Sequence, residues 1–149
     1  MFFRSLRRLL AAVLLTLCGV AGALAQQAES RFAFVIGNDA YEAGASPTAA
    51  NDAALVADAL RLAGFDVTGA RNLDQDTLRA AYREFLAKVA AAGRGAVAAL
   101  YFSGQGAQLD GENYFIPPGA RLARESDFGL NAIRISDLTR PLAGLNGRA

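Results

Sequence analysis

The chain has 149 residues, 53% of them hydrophobic and 19% charged, with 15 Lys or Arg, 14 Asp or Glu, one cysteine and no histidine. That length is typical of one domain, and the apolar content excludes a disordered chain. A single cysteine excludes an intramolecular disulfide and any multi-cysteine zinc or iron–sulfur site. Without histidine, no mechanism of this chain alone can use an imidazole as base, acid or metal ligand.

At the N-terminus Arg4, Arg7 and Arg8 precede an uncharged apolar run that starts at Leu9, and Ala23-Leu24-Ala25 supplies a small-x-small cleavage site. This pattern reads as a secretory signal over residues 1–25. The alternative is an uncleaved anchor, because Leu9 to Ala25 spans 17 residues and a membrane helix needs about 17–25. Gly19, Gly22 and the Ala-x-Ala site favour cleavage, and Leu17 before Cys18 disfavours a lipoprotein site. Cleavage implies export to the periplasm or the extracellular space and loss of Cys18. Residues 26–149 carry 12 basic and 14 acidic side chains, a net charge of −2. That balance argues against a polyphosphate or nucleic-acid surface. A membrane enters only if the N-terminal segment stays attached.

Gln26 to Ser30 reads as a short polar linker, leaving 31–149 as the folded domain. Phe32 to Ile36 is a continuous apolar run, as expected of a strand buried on both faces. Asn51 to Ala63 predicts a helix with Leu55, Val56, Ala59, Leu60 and Ala63 as its buried stripe and Gly64 as its C-terminal stop. A weaker strand follows over Asp66 to Ala70. Asp74 caps a second helix that buries Leu78, Ala81, Tyr82, Phe85 and Val89 and ends at Gly93. Ala96 to Phe102, seven uncharged apolar residues, is the strongest candidate for a buried strand. Leu109 to Glu112 reads as a hairpin turn and Asn113 to Ile116 as a returning strand. A last helix is expected from Asp137 to Ala143. The alternation of strands and helices predicts an α/β fold with a parallel sheet covered by helices on both faces.

Ligands of such sheets sit beyond the carboxyl ends of the strands, which singles out Gly37-Asn38-Asp39 and Ser103-Gly104-Gln105-Gly106. The second segment reads either as a tight turn out of a core strand or as a backbone cradle for a ligand. A dinucleotide site is disfavoured, because the third glycine and the helix of that fingerprint do not follow. Asp52 extends the buried stripe of the first helix. It is either an ordinary first-turn acid favoured by the helix dipole or a carboxylate aimed into a site.

The segments "VIGN-x-x-Y", "NDA", "GF-x-V" and "YFSG-x-G-x-Q-x-x-G-x-N-Y-x-IP", in this order between Arg31 and Leu122, resemble the large-subunit half of a caspase-like cysteine peptidase of the bacterial metacaspase branch. The resemblance implies a caspase-hemoglobinase fold and, in active members, a His–Cys dyad that cleaves after Arg or Lys. By position, Gln105 stands where the family has its histidine, and Gly106 matches the glycine whose N–H serves the oxyanion. Asp52 and Ser103 match the wall of the pocket for a basic side chain.

Two departures follow. Gln105 is a carboxamide that cannot take a proton from a thiol near neutral pH, and a thiol without a partner stays mostly protonated at pH 7. The segment "RISDLTRPLAGL" resembles the helix leading to a further strand and a "D-x-C" block, so the fold reads as incomplete at its C-terminus. The expectation is a caspase-like domain without peptidase activity, exported, binding peptides or proteins with basic side chains and using no cofactor. Two alternatives stay open: a partial sequence of a cysteine-type endopeptidase, and an unrelated doubly wound small-molecule-binding domain. Asp110, Glu112, Glu125 and Asp127 read as a solvated loop and not as a calcium site.

Overall fold

A computed structural model describes residues 29–42, 44 and 47–145. The expected signal segment 1–25, with Cys18, lies outside the described residues, as do linker residues 26–28. Strands β1 (Arg31–Gly37), β2 (Asp66–Arg71) and β3 (Val97–Ser103) form a parallel sheet in the order β2-β1-β3. Helix α1 (Ala49–Leu62) connects β1 to β2, and α2 (Gln75–Ala92) connects β2 to β3. A second, antiparallel sheet follows, built from β4 (Gly106–Leu109), β5 (Glu112–Phe115) and β6 (Ile133–Arg134) in that order. A 3-10 turn at Glu125–Asp127 and the short α3 (Phe128–Asn131) precede β6, and α4 (Ile135–Gly144) closes the described chain.

The two faces of β1 sort its side chains by the strand's period of two. Phe34 and Ile36 point to one face, where Leu78, Tyr82, Phe85 and Val89 of α2 meet Leu138 and Leu142 of α4. Phe34 is the hub of this cluster, with ring centroids 5.6 Å from Tyr82, 5.4 Å from Phe85 and 6.0 Å from Phe102. Ala33 and Val35 point to the other face and pack on Ala53 and Ala57 of α1. The sheet is thus covered by helices on both faces, as expected.

Local chemistry sets the ends of the elements. Asp74 accepts a hydrogen bond from the Thr77 N–H at 2.8 Å, the expected cap of α2. The Thr77 hydroxyl, donating to the same carboxylate at 2.6 Å, and then this N–H hold the Asp74 carboxyl below its ordinary range. Gly64, at φ +83°, ends α1: its N–H reaches the Arg61 carbonyl while the Phe65 N–H reaches that of Leu60, both at 3.0 Å. These are the two bonds of a Schellman motif. In the hairpin Asp110 and Gly111 both take positive φ, 50° and 79°, as a two-residue type I′ turn requires.

Two expectations need correction. The buried face of α1 is Ala49, Ala50, Ala53 and Ala57, whereas Leu55 is 70% exposed and Ala59 and Ala63 lie outside as well. The reason is distance. A Cβ on Gly37 would meet the Ala49 carbonyl oxygen and the Ala53 Cβ at 2.6 Å, so α1 lies against β1 where only alanines fit. The second correction concerns β3, which is half-buried along most of its length. It pairs with β1 on one side, and among the described residues nothing pairs with its other edge; β1 is the central strand.

The Tyr82 hydroxyl donates to the Leu138 carbonyl and joins α2 to α4. Burial pushes its pKa up to about 12 from the ordinary 10.0. A phenol that ionises less readily in the folded than in the unfolded chain contributes stability below pH 10, lost as the pH rises toward 12. Tyr82→Phe should cost about 1 kcal/mol at neutral pH through the lost hydrogen bond. It should also flatten the fall in stability above pH 10. Urea unfolding followed by circular dichroism from pH 7 upward checks both.

Candidate active site

The carboxyl ends of β1 and β3 lie side by side, because the register pairs Gly37 with Ser103. One step further, the Asn38 N–H donates to the Ser103 carbonyl at 2.8 Å, carrying the parallel pairing past the end of the strand. Asn38 is fully buried, and its Oδ1 accepts from the Leu73 N–H at 3.2 Å. Asn72, held at φ 54°, accepts from the N–H groups of Asp39 and Ala40 at 2.9 and 3.1 Å and donates to the Asp39 carboxylate at 2.8 Å. Two asparagines therefore fix the turn after β1 and deliver Tyr41 across to the turn after β3.

Tyr41 joins the two turns through a single oxygen. Its hydroxyl donates to the Ile116 carbonyl at 2.8 Å and accepts from the Gln105 N–H at 3.0 Å. Burial raises the Tyr41 pKa above its ordinary value, against the opposing pull on its hydroxyl oxygen of the Gln105 N–H and the Asn38 carboxamide. Asn38 Nδ2 itself makes no hydrogen bond of ordinary geometry. The phenol is a structural donor and acceptor here, and a poor proton source at neutral pH. Gly104 makes its approach possible. At φ +154°, a Cβ on Gly104 would sit 2.5 Å from the Tyr41 oxygen and 3.1 Å from the Asn38 carbonyl.

Gln105 is the residue whose surroundings define the site. Its carbonyl accepts from the Ile116 N–H at 2.9 Å, and its side-chain Nε2 donates to the Gly44 carbonyl. Beside it opens a cavity of about 460 Å³ lined by Tyr41, Glu42, Ile116, Pro117 and the 119–122 loop. Gly106 begins β4 directly after Gln105, so the candidate oxyanion glycine is held by the pairing of Gly106 with Phe115. Ser103 is half-buried at the end of β3.

Asp52 is placed on the far side of Gly37, in the first turn of α1. Its N–H donates to the Thr48 carbonyl at 2.8 Å and its carboxylate accepts from the Thr48 hydroxyl at 2.9 Å. Gly37 touches this turn through Ala49, Ala50 and Ala53 and pairs with Ser103 through the sheet. The turn of α1 that carries Asp52 and the end of β3 with Ser103 therefore both border Gly37, while Gln105 and Gly106 belong to the turn after β3. Among the described residues no group of three or more acids, cysteines or histidines is placed to hold a metal ion. Glu112 instead accepts from Ser136 at 2.7 Å, and Asp127 accepts from the Arg124 N–H at 2.9 Å.

Asn38 lies in the Gly37–Asp39 segment that the sheet rule indicates, whereas Tyr41 and Asn72 are parts of the site that no sequence rule singled out. Asn38 and Tyr41 are letters of the "VIGN-x-x-Y" segment, but their partners lie dozens of residues away. Asn72 carries a signal only in hindsight, as an asparagine between a strand and a helix cap, where positive φ is tolerated.

Gly104→Ala should destabilise the protein by about 1–3 kcal/mol through overpacking. Combining it with Tyr41→Phe should cost less than the sum of the two single changes, because the oxygen that the new methyl strikes is gone. A double-mutant cycle by urea unfolding reads this coupling; strict additivity would contradict the close contact.

The family model described as the caspase domain matches residues 30–145. No curated protein matches the chain. The matched range takes in both sheets and the four α-helices of the described residues, and the mixed α/β architecture with its parallel sheet is consistent with a caspase-like fold. The chain belongs to the caspase-domain family.

Proposed function

We propose that this chain is a caspase-like domain that does not hydrolyse peptides, and that it acts by binding basic side chains. The observation that carries the reading is the state of Gln105. The residue at the family's histidine position is a neutral carboxamide whose Nε2 is donated to the Gly44 carbonyl. A carboxamide accepts and donates hydrogen bonds but neither removes a thiol proton nor supplies an imidazolium. Residues 30–145, which match the caspase domain, contain no histidine to take over that role.

Support for binding comes from the parts that do not need the dyad. Ser103 pairs with Gly37 and Asp52 belongs to the helix turn that packs on Gly37; the resemblance assigns both to the wall of the basic pocket. Glu42 and Arg121 both line the cavity beside Gln105, so the preference for a cationic ligand rests on Asp52 and on the net charge of −2 over residues 26–149. We propose in addition that the chain is exported, with residues 1–25 removed as a signal.

A second reading, a partial cysteine-type endopeptidase, draws on the outer edge of β3, which is unpaired among the described residues and would accept a further strand.

One preparation tests the proposal. The protein recovered from the exported fraction is expected to begin at Gln26 by intact mass. Incubated with Arg- and Lys-reporter peptides, with and without calcium, it should release no product above buffer. It should bind the same peptides, and Asp52→Asn should weaken that binding by about tenfold, the effect of losing one charge-assisted contact. Thiol-dependent cleavage that survives Gln105→Ala would overturn the proposal in favour of the endopeptidase reading.

A further inference from the structure

Neither the backbone nor the neighbours of Gly69 in β2 require a glycine. Its φ is not positive, and a Cβ there would meet Arg61 Nη2 at 3.8 Å and the Val35 carbonyl oxygen and Val67 Cγ1 at 3.9 Å. These are ordinary van der Waals distances, unlike the 2.6 Å contacts that a Cβ on Gly37 would make. A glycine inside a strand forfeits backbone entropy and packing, and it often marks a place where something else approaches the chain.

The missing side chain leaves real space. The register sets Gly69 beside Val35 on the face that α1 covers, and the apolar part of the α1 wall opposite it is alanine, with Asn51, Asp58 and Arg61 at its rim. Small side chains on both walls leave an open cavity of about 310 Å³ between α1 and β2, floored by Val35, Ala53 and Ala57. That volume is at the lower end of the range for small-molecule sites, about 300–1,000 Å³.

The mouth of the cavity carries two guanidinium groups, Arg61 and Arg71, and one carboxylate, Asp58. Asp58 holds Arg61 through Nη1 at 2.8 Å, and the other guanidinium nitrogen, Nη2, is the atom closest to the Gly69 gap. Arg71 lines the same cavity and makes only a loose pair with Asp39, at 3.9 Å and 71% exposed. An apolar floor under guanidinium donors matches a carboxylate that carries a short hydrocarbon tail.

We propose that this groove binds a small aliphatic carboxylate. The tail lies on Val35, Ala53 and Ala57 where a Gly69 side chain would have been, and the carboxylate is received by Arg61 Nη2 and Arg71. The site lies on the β2 side of the sheet, across β1 from the turn that carries Gln105, and its wall includes Ala50 and Asn51 of the α1 turn that carries Asp52.

Calorimetric titration of the full chain with butanoate, hexanoate and octanoate tests this, with acetate and hexylamine as controls. Affinity should rise about fourfold per methylene until the groove is full, and neither control should bind. Gly69→Val fits the observed spacing and suits a strand; it should raise the melting temperature of the unliganded protein and abolish hexanoate binding. Arg61→Gln, an exposed change, should weaken hexanoate about tenfold. Failure of hexanoate to saturate, equal binding of hexylamine, or unchanged binding to Gly69→Val overturns the proposal. If Gly69→Val does not fold, unchanged affinity of Arg61→Gln overturns it alone.

Discussion

The contact between Gly37 and the first turns of α1 is the constraint on which the remaining geometry depends. No side chain fits between them, since a Cβ on Gly37 would lie within 2.8 Å of three α1 atoms. A helix pressed this closely to a strand can turn only its smallest residues inward, and α1 turns Ala49, Ala50, Ala53 and Ala57. Leucines at 55 and 62 are left outside, 70% and 92% exposed. The same contact sets the first turn of α1, with Asp52, next to the end of β3, with Ser103. Farther along β2, the alanine face that closes tightly on Gly37 meets Gly69 instead and leaves an opening.

This explains which parts of the fold were legible in the sequence. Both caps of α2 and the hairpin turn follow from chemistry within a few residues, so Asp74, Gly93 and Asp110-Gly111 announce themselves. The face of α2 was legible because its large residues, Leu78, Tyr82, Phe85 and Val89, recur on one side with polar residues opposite. In α1 apolar residues occur on both sides, and hydrophobicity alone favours the leucines. The alanine face wins because close packing rewards small size at that position, a property of the partner strand and not of the helix. The half-burial of β3 has a related reason: seven apolar residues say that a strand has apolar surroundings, not how many neighbours pair with it.

At the site, the legible part is local and the illegible part is a network across the chain. Ser103 to Gly106 is a contiguous turn at the end of a strand, where the sheet rule directs attention. What holds that turn is Tyr41, which grips Gln105 and Ile116 at once, and Asn38 and Asn72, which fix the segment that carries Tyr41. Each bond joins residues separated by at least 32 positions, and no periodicity encodes such a pairing. The glycine at 104 is the trace that this network leaves in the sequence, because the Tyr41 oxygen occupies the place of its side chain.

Under the proposed function, the fate of this site turns on how differently structure and chemistry depend on one side chain. A histidine in the family's dyad contributes proton transfer, worth about 10²–10⁴ in rate. As a structural element, a side chain at position 105 contributes a hydrogen bond to the Gly44 carbonyl, worth about 1 kcal/mol, and glutamine can supply that as readily as an imidazole N–H. The backbone of Gln105 makes its bonds to Tyr41 and Ile116 regardless of the side chain. A change from a proton-transferring residue to glutamine therefore removes the reaction while leaving the turn, the cavity and the neighbouring acids in place. A binding surface that outlives its catalytic residue is what this architecture permits, because the frame of the site is built from main-chain groups, two asparagines and a tyrosine that take no part in proton transfer.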